Sequence, residues 1–323
     1  MGLPMATTKT TPTPRTTTKP PARCARPAEP VPVALWPVAQ ATAAAQRAGR
    51  YLPASTAHPG KMLPALAARI VAEYSRPGDL VADPMCGIGT TLIEAAALGR
   101  RALGLELEER WAGVARDNLA FALDAKKRAR AEVRVGDATA LPGPLGDLAG
   151  RVDLVCTSPP YGCDAGIIDK PGWLAGRRMC PPDTLNYSGN PANLGHARGE
   201  GYAEAMAAVY AGCWGLLRPG GILVAVTKNT RRGGRLLDLA ALTVRLGQAA
   251  GFDYLQHVVA LHTAVRDGAL VGRPSYWQLT AVRAARAQGA PVHLVAHEDV
   301  IVLAKPAATA PASAEGKQAR RGR

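Results

Sequence analysis

Asp79-Leu80-Val81-Ala82-Asp83-Pro84-Met85-Cys86-Gly87-Ile88-Gly89-Thr90-Thr91-Leu92-Ile93-Glu94-Ala95-Ala96-Ala97 is the stretch on which the fold turns. A short apolar run ends in an acid and a proline, a glycine-containing turn follows, and an Ala/Leu-rich run takes over. Gly87 and Gly89 permit a tight turn and close approach of the backbone to a ligand, and Thr90 or Thr91 is placed to cap the helix that follows. Strand, glycine loop and helix in this order form the nucleotide-binding corner of an open α/β sheet. The spacing is neither G-x-G-x-x-G nor the phosphate-loop lysine pattern. The next apolar run, Arg101–Glu106, ends in an acid about twenty residues on, the spacing at which a carboxylate holds ribose hydroxyls. A third, residues 132–136, ends at Asp137.

Residues 151–156 form a fourth apolar run, which stops at Thr157-Ser158-Pro159-Pro160-Tyr161. Pro159 and Pro160 have fixed φ and no N–H, so the turn offers carbonyl acceptors without competing donors. The Ser158 hydroxyl adds an acceptor, and Tyr161 adds a flat apolar face with a polar tip. Acceptors converging beside an aromatic plate suit a planar ring that bears an exocyclic amine. On the pentapeptide alone a structural Pro-Pro turn is the favoured reading, and the upstream glycine loop is what shifts the balance. Four strand ends carrying polar groups, read together, form one site.

At these residues the chain resembles the amino-methyltransferases that use S-adenosylmethionine, most closely the DNA cytosine-N4/adenine-N6 methyltransferases. DPMCGIGTT at 83–91 is similar to that family's cofactor loop, and TSPPY at 157–161 to its catalytic loop, in the serine form associated with cytosine-N4 enzymes. His58-Pro59-Gly60-Lys61 resembles the HP-x-K entry, and His297-Glu298-Asp299 begins a stretch similar to the final H-E strand. The resemblance implies a Rossmann-like class I methyltransferase fold, a seven-stranded, mostly parallel sheet with helices on both faces and a last strand that runs antiparallel. It implies that Lys61, Asp83, Cys86, Gly87, Gly89, Thr90, Thr91, Glu106 and Asp137 bind S-adenosylmethionine, with Lys61 near its carboxylate, Glu106 on the ribose and Asp137 on the adenine. Ser158, Pro159, Pro160 and Tyr161 then form the catalytic loop around a flipped base. The DPMCG-x-GT-x-LIEAA form also resembles tRNA and rRNA guanine-N2 methyltransferases, which use the same loops on another amine. A non-enzymatic alternative is a nucleic-acid-binding protein that has lost catalysis, against which both intact loops argue.

The 323 residues, 47% of them hydrophobic, suffice for one large α/β domain. Apolar periods predict helices over residues 61–74, 92–98, 108–123, 202–217 and 236–250, and further strands over 221–227, 252–261 and 299–303. Near-continuous apolar strands alternating with amphipathic helices mean a parallel sheet covered on both faces. Residues 1–50 are Thr/Pro/Ala-rich and basic and read as a disordered tail, 51–304 as the catalytic domain, and 305–323 as a second basic tail. The net charge of +14 divides into +6 on the first segment, +4 on the last and +4 between them. Basic tails around a nearly balanced core attract a polyanion non-specifically.

Residues 162–201 and 262–297 do not fit the alternating pattern and are expected to recognise substrate, the first carrying Arg177 and Arg178. Lys228, Arg231, Arg232 and Arg235 follow the predicted 221–227 strand, where the ligand crevice of such a sheet lies, and are the candidate phosphate contacts. The expected partner is double-stranded DNA, with a restriction endonuclease as a possible companion. Six cysteines, at 24, 86, 156, 163, 180 and 213, form no C-x-x-C pair, and no metal site is expected. Cys86 and Cys156 read as packing residues. No run is apolar enough to span a bilayer and no secretory signal is evident, so a cytoplasmic enzyme is expected.

Overall fold

The strand–loop–helix corner is present in the computed structural model, which describes residues 31–161, 190–197, 199–232, 235–273 and 276–307. In chain order the elements are β1 (Leu35–Trp36), α1 (Ala43–Arg47), α2 (Pro64–Tyr74), β2 (Leu80–Asp83), α3 (Thr90–Ala97), β3 (Arg101–Glu106), α4 (Glu109–Ala122), α5 (Ala125–Arg128), β4 (Ala131–Val135), β5 (Val152–Thr157), α6 (Gly199–Leu216) and β6 (Leu217–Thr227). The hairpin β7 (Thr230–Arg232) and β8 (Arg235–Leu237) follows, then α7 (Leu239–Ala249), β9 (Asp253–Leu261), the hairpin β10 (Thr263–Arg266) and β11 (Ala269–Gly272), α8 (Tyr276–Ala287) and β12 (His297–Ala304). Two units separate by their contacts, Met1–Val33 and Ala34–Arg323, and the elements of the described residues lie in the second.

The central sheet has the order β1-β9-β12-β6-β5-β2-β3-β4. Ladders from β6 through β5, β2 and β3 to β4 are parallel, and β12 is antiparallel to both β6 and β9. Residues alternate between the faces, as a strand requires. Val81, Leu154, Cys156, Val224 and Val226 pack with α2, α3 and α4, whereas Ala82, Val155, Leu223 and Ala225 pack with α6 and α7. The helices take their places from apolar stripes: Leu66, Ala67, Ile70 and Val71 on α2 are buried behind Pro64, which occupies the first turn where its missing N–H costs nothing.

Eight strands stand where seven were expected. The additional one is β1, inside the segment read as a disordered tail, and it pairs in parallel with β9 through Leu35–Val259 and Trp36–Ala260. Trp36 is 6% exposed. Its ring faces Tyr74 at 6.4 Å and lies under the Arg69 guanidinium at 5.4 Å. A two-residue strand is too short for any period to reveal, and composition cannot distinguish a proline-rich tail from a proline-rich segment that closes a sheet edge. The expected boundary at residue 51 is therefore corrected: the folded unit includes Leu35, Trp36 and α1.

Candidate active site

Five parallel strands and the start of one reversed strand bring their polar ends to a single edge of the sheet. β2 delivers Asp83, β3 delivers Glu106, and Asp137 follows β4. In the other direction β5 delivers Ser158, Lys228 follows β6, and Glu298 stands near the start of β12. The strand order reverses between β2 and β5, the switch point where open α/β sheets bind ligands. A cleft of about 480 Å³ opens there.

The glycine loop forms one wall. Gly87 and Gly89 have φ of 52° and 83°, in the left-handed region. Gly89 is the residue that starts α3, with no side-chain cap. The expectation that Thr90 or Thr91 caps this helix is therefore corrected. Both are buried, because the left-handed turn begins the helix before them and rolls them inward. The Thr91 hydroxyl lies beside Asp83, and that of Thr90 beside Tyr51. A Cβ at Gly87 would come within 3.1 Å of Nε2 of His58. His58 is itself buried, edge-on to Trp111 at 4.7 Å, and burial followed by the Lys61 charge lowers its pKa to about 4. The Lys61 ammonium donates to the carbonyl oxygens of His58 and Thr56. Burial, then the Arg47 charge, lowers its pKa.

Acids line this half of the cleft. The Asp83 carboxyl is fully buried, and burial raises its pKa to about 6 against the Thr91 and Thr157 hydroxyls and the Met85 amide. Glu106 is also raised to about 6 by burial, although its carboxylate accepts from the Gly87 amide at 2.8 Å and the Glu108 amide at 3.1 Å. Burial pushes the Cys86 and Cys156 thiols up, so neither is an activated nucleophile.

On the opposite side the TSPPY turn leaves β5. Thr157 and Pro159 are buried, whereas Ser158, Pro160 and Tyr161 are partly exposed and line the cleft. The Tyr202 hydroxyl on α6 donates to the Pro160 carbonyl at 2.8 Å, tying the turn to the helix beneath. Asn193, in the described part of the first insert, is buried and donates to Oε1 of Glu108 at 3.2 Å, which brings residues 192–194 to the cleft mouth.

The cleft brings together every residue expected to bind cofactor except Gly89, whose neighbours Ile88 and Thr90 line it, and all four residues of the expected catalytic loop. Lys228, expected among the phosphate contacts, lines the cleft and is half-buried, so it is set apart from the others of that group. Arg231, Arg232 and Arg235 are on the β7–β8 hairpin, with Arg232 paired to Arg235 across its end. Arg177 and Arg178 lie outside the described residues. His58 and Glu298 were quoted as motif letters without a role, and Tyr202 and Glu108 carried no motif signal at all.

This strand order, with one reversed strand and a glycine loop at the switch point, defines the Rossmann-like class I methyltransferase sheet. Residues 8–117, about a third of the chain, match a family described as DNA methylase. Among curated relatives, a tRNA (guanine(10)-N2)-dimethyltransferase of Methanocaldococcus jannaschii is 37% identical over 107 residues, 32% of this chain and 30% of that one. A protein of the same name from Methanothermobacter thermautotrophicus is 36% identical over 110 residues, 33% and 30% of the two chains. The chain thus matches less than a third of the length of these relatives. Among solved structures, an S-adenosylmethionine-dependent O-methyltransferase of Thermotoga maritima is 16% identical, with 76% of this chain and 66% of that one covered at a TM-score of 0.44. Among the described residues no helix is long and apolar enough to cross a membrane.

Proposed function

We propose that this protein transfers a methyl group from S-adenosylmethionine to the exocyclic amine of a nucleobase, cytosine N4 in double-stranded DNA. The observation that carries the reading is the meeting of Ser158 and Tyr161 with Asp83, Glu106 and Asp137 in one cleft at the switch point. The DNA methylase match over residues 8–117 supports it. S-adenosylmethionine supplies an electrophilic methyl group on a sulfonium centre, and it fits the donor set of the cleft. Carboxylates at Asp83, Glu106 and Asp137 suit a ligand rich in hydroxyl, amine and cationic groups. Lys61, a cation on the glycine-loop side of the cleft, would pair with its carboxylate.

The chain's own contribution is alignment. Glu106 holds the glycine loop through the Gly87 amide and still has lone pairs for ribose hydroxyls. A base leaving the duplex would stack on Tyr161 and present its amine to Ser158 and the Pro159 carbonyl. The Pro160 carbonyl is committed to Tyr202. Arg231, Arg232 and Arg235 on the hairpin, with Arg177 and Arg178 in the first insert, would contact phosphates.

The second reading, guanine N2 in RNA, is favoured by the two relatives named for tRNA guanine-N2 dimethylation. Incubating the full chain with S-adenosylmethionine and either DNA or RNA, then identifying nucleosides by mass, separates the two. N4-methylcytosine in DNA is the expected product. N2-methylguanosine in RNA with unmodified DNA selects the second reading, and no modified base in either overturns both.

A further inference from the structure

Lys228, Glu298 and His262 form a line of ionisable groups leading out of the cleft, and the function proposed above uses none of them. β12 runs antiparallel between β6 and β9, with Asp299 opposite Thr227 and Glu298 opposite Ala260. One step beyond the Thr227 pair, the same register sets Glu298 beside Lys228, two strands from the end of β5 that delivers Ser158. Ser158, Tyr161, Lys228 and Glu298 line the same cleft.

The Glu298 side chain is 13% exposed, and its Oε2 lies 3.0 Å from Nε2 of His262, which is 26% exposed. Both of those atoms are shielded from solvent, and neither makes a hydrogen bond of good geometry, to the other or to another described residue. Lys228 and Arg47 are cations close enough to interact electrostatically with Glu298. Asp299, the neighbouring acid, is engaged by His257 at 2.9 Å. A buried carboxylate with one partly exposed imidazole behind it is the arrangement of a proton acceptor with an exit.

The chemistry of the amine requires such an acceptor. As the nitrogen lone pair forms its bond to the methyl carbon, the carbon–sulfur bond breaks onto sulfur, which becomes a neutral thioether. The positive charge then sits on nitrogen together with a proton that must leave. Ser158 is neutral and cannot keep that proton. An arylammonium of this kind is a strong acid, so a carboxylate is a sufficient acceptor for the proton. Burial lowers the Lys228 pKa from its usual value, and the charges of Glu298 and Asp299 oppose that only in part.

We propose that Glu298 accepts the proton released by the methylated amine and that His262 passes it to solvent. The nitrogen–hydrogen bond breaks, its electron pair stays on nitrogen, and the proton moves from the carboxyl to the imidazole and then to water. The inference rests on the methyl-transfer reading above and is tested so that the two fail separately.

The experiment uses the full chain and its Glu298→Gln, Glu298→Ala and His262→Gln variants. It measures single-turnover methyl transfer to DNA and to RNA, S-adenosylmethionine affinity by calorimetry, and thermal melting. Glu298→Gln should slow transfer roughly a hundredfold, within the range for a lost acid–base group, while cofactor affinity is retained. Formate should restore part of the Glu298→Ala rate, and imidazole part of the smaller His262→Gln loss, effects that a packing role would not produce. Wild-type rates in Glu298→Gln overturn the inference, as do loss of cofactor affinity in step with the rate and the absence of rescue in a folded variant. If the Glu298 variants fail to fold, His262→Gln with and without imidazole decides. A wild-type chain that methylates neither nucleic acid overturns the proposed function and this step with it. An active wild type with an equally active Glu298→Gln overturns this step alone.

Discussion

The Gly87 amide donates to Oε2 of Glu106 at 2.8 Å, joining two residues nineteen apart in sequence and carried by different elements. The acid at the end of β3 therefore shapes the glycine loop whether or not a ligand is present. Its other oxygen accepts from the Glu108 amide, so the carboxylate also fixes the start of the segment leading into α4. Replacing Glu106 disturbs the loop together with the proposed ligand contact.

Glu106→Ala should weaken S-adenosylmethionine binding by on the order of 1.5–3 kcal/mol, roughly ten- to a hundredfold, because charge-assisted acceptors are lost. Calorimetry on a variant whose melting profile is retained checks this. Unchanged affinity in a folded variant would remove Glu106 from the binding site.

Burial raises Asp83 and Glu106 to about 6, above their usual values, and the direction sets two opposite pH effects. For the apo chain the contribution of each to stability is present below its unfolded value and is lost as pH rises through about 6. The stability of Glu106→Gln relative to wild type should therefore improve between roughly pH 4.5 and pH 7, by up to about 2 kcal/mol. Cofactor affinity in the wild type should run the other way and fall below about pH 6, where the acceptors become protonated. Melting curves and titrations at matched pH read both effects.

Tyr202→Phe removes the donor to the Pro160 carbonyl. The catalytic turn should loosen, with transfer reduced by about 0.5–1.5 kcal/mol of barrier and cofactor affinity unchanged. Ser158→Ala should impair turnover by roughly 1–3 kcal/mol, and Tyr161→Ala should weaken base capture by a similar ~1–3 kcal/mol, whereas Tyr161→Phe keeps the stacking face and most activity. Separate measurement of substrate affinity and single-turnover rate distinguishes the three.

Removal of residues 1–33 should leave melting and cofactor binding intact. Removal of residues 1–50 deletes β1, Trp36 and the Arg47 guanidinium that donates to the Met62 carbonyl at 2.8 Å. Trp36→Ala alone should cost about 3–5 kcal/mol, the range for a buried tryptophan. Equal melting temperatures for the two truncations would show that β1 contributes nothing to the folded unit.

Gly104→Ala tests the packing behind the loop. A Cβ there would come within 2.6 Å of Leu92 Cδ1 and 2.7 Å of Cys86 Sγ. Overpacking should destabilise the chain by roughly 1–3 kcal/mol, measured by denaturant unfolding.

The corner at Asp83–Gly89, the Pro-Pro turn and the acids at the ends of β3 and β4 were legible in the linear chain because each is written locally. A glycine marks a left-handed turn, a proline pair marks a strand's end, and an apolar run marks a buried strand. Parallel strands with one carboxyl edge then follow from the alternation of strands and helices, which is why so many of the expected site residues meet in a single cleft. Other features depend on partners distant in sequence. Trp36 enters the core only because the β9 edge is there to pair with, and Thr90 and Thr91 turn inward because Gly89 has already begun α3. Tyr202 reaches Pro160 only after α6 packs under the turn. Above all, the insertion of β12 between β6 and β9 sets Glu298 beside Lys228 and His262. Cross-strand register has no local signature in the chain, so the contact of Glu298 with His262 belongs to the tertiary structure alone.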